Sequence, residues 1–183
     1  MAERNSVSRN LAVLSRTMAW LSTAGFVIVP AVLIYIFLEP DRSQWLMFDV
    51  DHLGASLYAT IPVQYRMLAL ACAMIPAAFN MWALWSLRRL FLLYADGEVF
   101  SSGALGALNH VAIALFGGVI ASFVAQGPMS LALSWANGPH HREISLGFGS
   151  GDVSTLFMAG VVLVVARVMG EARRVADENA AFV

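Results

Sequence analysis

Four apolar runs, each about as long as a bilayer's hydrocarbon core is thick, constrain this chain more than any other feature. At a rise of about 1.5 Å per residue, roughly 20 helical residues cross some 30 Å of hydrocarbon. The sequence offers such runs at residues 18–38, 67–87, 105–125 and 153–170. A helix pairs its own backbone groups and so can enter lipid without water. Composition agrees: 59% of the 183 residues are hydrophobic, 13% are charged and the mean hydropathy is +0.70, well beyond a soluble domain. The reading is an all-α integral membrane protein of four transmembrane helices in one domain, residues 1–183. Outer loops fall at 39–66 and 126–152, a cytoplasmic elbow at 88–104 and a cytoplasmic tail at 171–183.

The polar start MAERNSVSRNLAVLSR precedes a long apolar run with no small-residue cleavage pattern, so no cleaved signal peptide is expected. Leu11, Val13, Leu14 and Met18 fall near one helical face, which predicts that the first helix begins before the membrane does. Pro30 removes a backbone donor within the first span and predicts a bend there, and Pro76 lies within the second span. Asn80 is the strongly polar residue of the second span, and a buried amide in a bilayer most often bonds another helix. His110 is read as a hydrogen-bonded interfacial side chain, with pH sensing as the alternative. Asn80 and His110 are therefore the polar helix-packing candidates. The alanines at 69, 71, 73, 77 and 78 and the pair Gly117-Gly118 suit close helix approach. The lone Cys72 reads as a small core residue.

The second outer loop changes period. Met129, Leu131, Leu133 and Trp135 alternate with small residues, Asn137-Gly138-Pro139 supplies turn chemistry, and Ile144, Leu146 and Phe148 alternate again. This predicts a small external β-hairpin carrying Trp135, His140 and His141. It would need support from the first outer loop, a homo-oligomer partner or both, because an isolated hairpin is marginal. Asp152 is placed to cap a helix beginning at Val153. Glu171 stands four residues after Arg167, a permitted helical pair.

All 11 basic residues are arginine. With both termini inside, Arg4, Arg9, Arg16, Arg88, Arg89, Arg167, Arg173 and Arg174 are cytoplasmic, and Arg42, Arg66 and Arg142 are external. Eight against three follows the positive-inside rule and predicts N-in, C-in. The near-neutral net charge of -1 and the lack of a basic tract argue against direct nucleic-acid binding. His140-His141 with Glu143, and His52 with Asp49 and Asp51, are poor metal sites: the adjacent histidines of an extended tip point to opposite faces, and no HExxH or paired-cysteine spacing is present. No span holds an acidic residue, which argues against proton-coupled transport. No nucleophile elbow or phosphate loop is present, so an enzyme, a cofactor and a metal centre are not expected.

The segment LRRLFLLYADGEVFSSGALGALNHVAIALFG and the ending FGSGDVSTLFMAGVVLVVARVMGEARRVADENAAFV together resemble the bacterial membrane-protein family catalogued as domain of unknown function 2975. Gly97, Glu98, Val99, Phe100 and Ser101 match its elbow, and Glu171, Asp177, Glu178 and Asn179 stand at its tail motif. The resemblance covers about the C-terminal two thirds. It implies four spans in a bacterial inner membrane, no assigned activity, and genes often adjacent to a small helix-turn-helix regulator. The leading expectation is a non-enzymatic sensor or regulatory scaffold that meets a cytosolic regulatory protein. Its docking surface would be Arg88, Arg89, Asp96, Glu98, Phe100, Arg173, Arg174 and Glu178. The alternative is a small channel or transport-associated subunit lined by Asn80 and His110.

Overall fold

In the computed structural model, which describes residues 2–38, 62–134 and 146–180, every regular element is a helix. They are α1 (Ala2–Leu38), α2 (Val63–Ala95), α3 (Ser102–Ser134) and α4 (Ser150–Ala180). Each contains a stretch long and apolar enough to cross a membrane: Leu11–Leu38, Val63–Ala95, Ser102–Ala132 and Ser150–Val175. With 31 to 37 residues, the helices are about 46–55 Å long and outrun the hydrocarbon. Tyr65 and Arg66, read from sequence as outer loop, belong to the first turn of α2. Pro30, Pro76 and Pro128 lie within continuous helices. Hydroxyls inside the spans close on their own helix: Ser22 donates to the Met18 carbonyl, Thr23 to that of Ala19 and Thr155 to that of Gly151, all at 2.8–2.9 Å. That removes a free polar group from an apolar medium.

The helices pack in chain order, α1 on α2, α2 on α3 and α3 on α4. α3 is the most enclosed, with 33% of its apolar window buried against 11% for α1 and α4. Among the described residues, eleven of the 16 buried apolar ones are alanines. Lipid tails are as apolar as leucine, so close van der Waals packing of small residues is the available driving force. Along α1, Ser15, Ala19 and Ser22 are buried and Gly25 meets the Leu84 side chain of α2. Between α2 and α3 the Phe79 ring lies across Gly117, as expected for the small pair at 117–118. One cluster, Phe37, Ala69 and Ala132, joins α1, α2 and α3 at the end where Arg66 Nη1 donates to the Leu38 carbonyl. At the opposite end Leu90, Ala104, Ala107 and Leu108 gather with Val162, Ala166 and Met169 of α4. The start of α1, the α2–α3 elbow and the end of α4 therefore share one end of the array.

Among the described residues the predicted hairpin is not present. Residues 129–134, its first strand, continue α3, and residues 146–149 of the second carry no regular structure. Three residues apart, Met129 and Ala132 meet Phe37 and Ala69 on one helical face, a contact that alternation would have split. Ser130 donates to the Gly127 carbonyl at 2.9 Å within the helix. The continued helix keeps its backbone paired, whereas a lone hairpin has two open edges. Trp135, His140 and His141 lie outside the described residues. The return into α4 is tied to α3, since Gly147 N–H donates to Gln126 Oε1 at 2.7 Å. α4 begins at Ser150, three residues before the predicted start. Asp152 still serves its N-terminus, accepting the Gly149 N–H at 2.9 Å, so it stands inside the first turn and reaches back.

Candidate functional site at the elbow

The elbow is a compact turn of residues 96–101 between two helices that reach beyond the bilayer. α2 ends in a Schellman arrangement: the Glu98 N–H donates to the Leu93 carbonyl at 2.9 Å and the Gly97 N–H to that of Tyr94 at 3.1 Å. Gly97 takes φ +83°, a left-handed conformation that a side chain would strain. α3 then starts on Ser101, whose Oγ accepts the Ala104 N–H at 3.1 Å while its carbonyl accepts that of Leu105. Of the Ser101-Ser102 pair, the first is the cap. Gly97, Glu98 and Ser101 thus have backbone reasons for their places, and three side chains of the turn are exposed. Asp96 and Glu98 are exposed, and Phe100 is 60% exposed.

The docking candidates divide over two neighbouring elements. Arg89 is exposed on the last turns of α2, while Arg88 folds its guanidinium over the Trp85 ring, 5.3 Å from the centroid. Trp85 also meets Phe26 of α1 at 5.9 Å, which ties the arginine to an aromatic contact between α1 and α2. The i, i+3 spacing of Trp85 and Arg88 carried this signal in the sequence. On α4, Arg174 is paired with Glu171 and lies 3.9 Å from Glu178. Glu171 pairs forward with Arg174, and the pairing expected with Arg167 is not the one formed. These exposed i, i+3 and i, i+4 pairs add little stability and leave a surface of both signs. Arg173 is half-buried on the same helix end.

Asn80 and His110 are not brought together. His110 lies tilted against Trp82 at 5.9 Å, linking α3 to α2, and is itself exposed. Asn80 is exposed two residues before Trp82, roughly 200° around α2. A cavity of about 340 Å³ between α2 and α3 is lined by Tyr65, Leu68, Cys72, Pro128, Leu131 and Ala132, all apolar or weakly polar. Among the described residues no three His, Cys, Asp or Glu side chains gather as a metal site.

Four membrane-length helices stacked in series, with a glycine-closed and serine-capped turn between the second and third, define a multi-pass helical membrane protein. The chain belongs to the family described as protein of unknown function (DUF2975), whose model matches residues 13–183. The match takes in the first span and the segments 39–66 and 126–152 as well as the C-terminal two thirds. No curated protein and no solved structure matches the chain.

Proposed function

We propose that this protein is a non-enzymatic sensor or regulatory scaffold of the bacterial inner membrane, N-in and C-in, acting on a cytosolic regulatory protein through its elbow and tail. The observation that carries the reading is Phe100, 60% exposed on a turn with little backbone freedom and accompanied by the exposed carboxylates of Asp96 and Glu98. A large apolar side chain held out from a turn that is tied by helix-end hydrogen bonds suits a contact anchor. The arginine asymmetry supports a cytoplasmic location for this end. α4 continues about 13 Å past Met169 to Glu178, so the tail can contribute a charged rim to the same contact. No cofactor or metal enters this function. The channel alternative has weaker support, because Asn80 and His110 face different ways and the α2–α3 cavity is apolar.

The test is affinity capture of the full-length protein from its native membrane, with and without Phe100→Ala, Glu98→Arg and a truncation after Gly170. A soluble partner lost with the Phe100 and Glu98 variants supports the reading. Identical captured proteins across all variants, with the variants still inserted in the membrane, would sink it.

A further inference from the structure

We propose that the α1–α2 seam at the elbow end holds an anionic phospholipid of the surrounding leaflet, bound by Arg16, Arg88 and Arg89 beside Trp20 and Trp85. Gly25 against Leu84 and Phe26 against Trp85 set the register of these two antiparallel helices. From there toward the elbow, Trp20 comes level with Arg89, and Arg16 lies about one turn further out. All five side chains flank the seam on one side. On α1, Arg16 and Trp20 each follow a buried residue, Ser15 and Ala19, as Phe26 follows Gly25. On α2, Trp85 follows Leu84, and Arg88 and Arg89 stand three and four residues further along the same face, Arg88 with its guanidinium 5.3 Å from the Trp85 ring centroid. Seen from one end, antiparallel helices wind in opposite senses, so a step of one residue leads to the same side of the seam in both. This side is open to lipid. Trp20 is 76% exposed and Trp85 54%, and Arg16 and Arg89 are exposed as well.

Charge is sorted by depth at this end. Residues 11–38 and 63–95 contain no Asp or Glu, and the first carboxylate after Arg89 is Asp96, about 10 Å further along the axis. Among the described residues the ion pairs here belong to Arg174, Glu171 and Glu178 of α4, and Arg16, Arg88 and Arg89 take part in none. Three guanidiniums thus stand where the apolar run 67–87 ends, at headgroup depth, with no carboxylate beside them. A phosphodiester supplies the missing charge, and a guanidinium pairs with its oxygens bidentately. Stacking on Trp85 holds Arg88 in place, and a stacked guanidinium keeps its N–H edge for a phosphate. The indoles of Trp20 and Trp85 suit the glycerol level, where an amphipathic ring is half wet. A zwitterionic headgroup brings its own ammonium, so a lipid of net negative charge is the one selected. This assigns to lipid two arginines expected from sequence on the docking surface. It does not depend on the scaffold reading, which rests on Phe100.

The experiment places the full-length protein in phosphatidylethanolamine nanodiscs doped with spin-labelled phosphatidylglycerol or spin-labelled phosphatidylcholine. EPR reads the immobilised fraction of each. The wild type is expected to prefer phosphatidylglycerol, Arg16→Gln, Arg88→Gln and Arg89→Gln each to weaken that preference by up to about fivefold, and Arg174→Gln to leave it unchanged. Trp85→Leu keeps every charge and weakens the preference by about two- to fivefold by releasing Arg88, which covers the case in which an arginine variant fails to insert. The proposal is overturned by a wild type without preference, or by an inserted Arg88→Gln, Arg89→Gln double variant that retains it. An equal loss in Arg174→Gln, or no change in Trp85→Leu, overturns it as well. No soluble partner is present in these discs, so the outcome is separate from that of the capture experiment.

Discussion

The contact between Phe79 and Gly117 is the sharpest structural claim about how α2 and α3 pack, and Gly117→Ala tests it. A Cβ built on Gly117 falls 2.5 Å from Phe79 Cε1 and 2.7 Å from Cδ1, whereas carbon atoms rest at about 3.5–4.0 Å. The ring would have to move by roughly 1 Å against helices already in contact. Overpacking of this kind costs about 1–3 kcal/mol. A helix-interior Gly→Ala change independently stabilises by up to about 1 kcal/mol, so the net effect is a loss of about 0–2 kcal/mol. Gly106 separates the two terms, because nothing lies within 4 Å of its added Cβ. Gly106→Ala therefore stabilises by about 0.5–1 kcal/mol. The difference between the two variants reports the steric term alone, about 1–3 kcal/mol. Unfolding by SDS titration followed by circular dichroism measures it, and adding Phe79→Leu to both backgrounds shrinks it if the ring is responsible. Equal stabilities for Gly117→Ala and Gly106→Ala, or a difference unmoved by Phe79→Leu, would refute the packing described here.

The turn and cap residues give further tests in the same assay. Gly97→Ala is destabilising by about 1–2 kcal/mol although no atom lies within 4 Å of the added methyl, because φ is +83°. A neutral result would mean that the elbow relaxes out of its left-handed turn. Ser101→Ala removes the bond to the Ala104 N–H and costs about 1 kcal/mol, with Ser102→Ala as the silent control. At the start of α4, Asp152→Ala frees the Gly149 N–H and removes a carboxylate from the helix N-terminus, costing about 0.5–2 kcal/mol. Hydrogen exchange localises that loss to the first turn of α4, and uniform exchange changes would contradict the assignment.

Much of the elbow could be read residue by residue before any coordinates. Gly97 announces a helix stop and Ser101 a restart, because the orphan carbonyls and N–H groups of helix ends admit few solutions and each has its residue type. The second outer loop was misread for a related reason. Alternation over Met129, Leu131 and Leu133 spans too few residues to separate a period of 2 from one of 3.6. The deciding fact, Ala132 against Phe37 and Ala69, is a contact between distant segments. The cap at Asp152 was right in kind and misplaced by one turn, since the same carboxylate can serve the N-terminus from either position.

The sequence by itself determined that this chain has four membrane-length helices and where the elbow turns. Those features follow from covalent chain length and backbone conformational limits, which are local. Only the tertiary structure decided which face of each helix meets another: that Phe79 lies on Gly117 and that Arg88 rests on Trp85. In water a helix declares its buried face by hydrophobic contrast. In lipid both faces are apolar, so the sequence marks the packing only through small residues such as Gly117-Gly118 and leaves their partners unspecified.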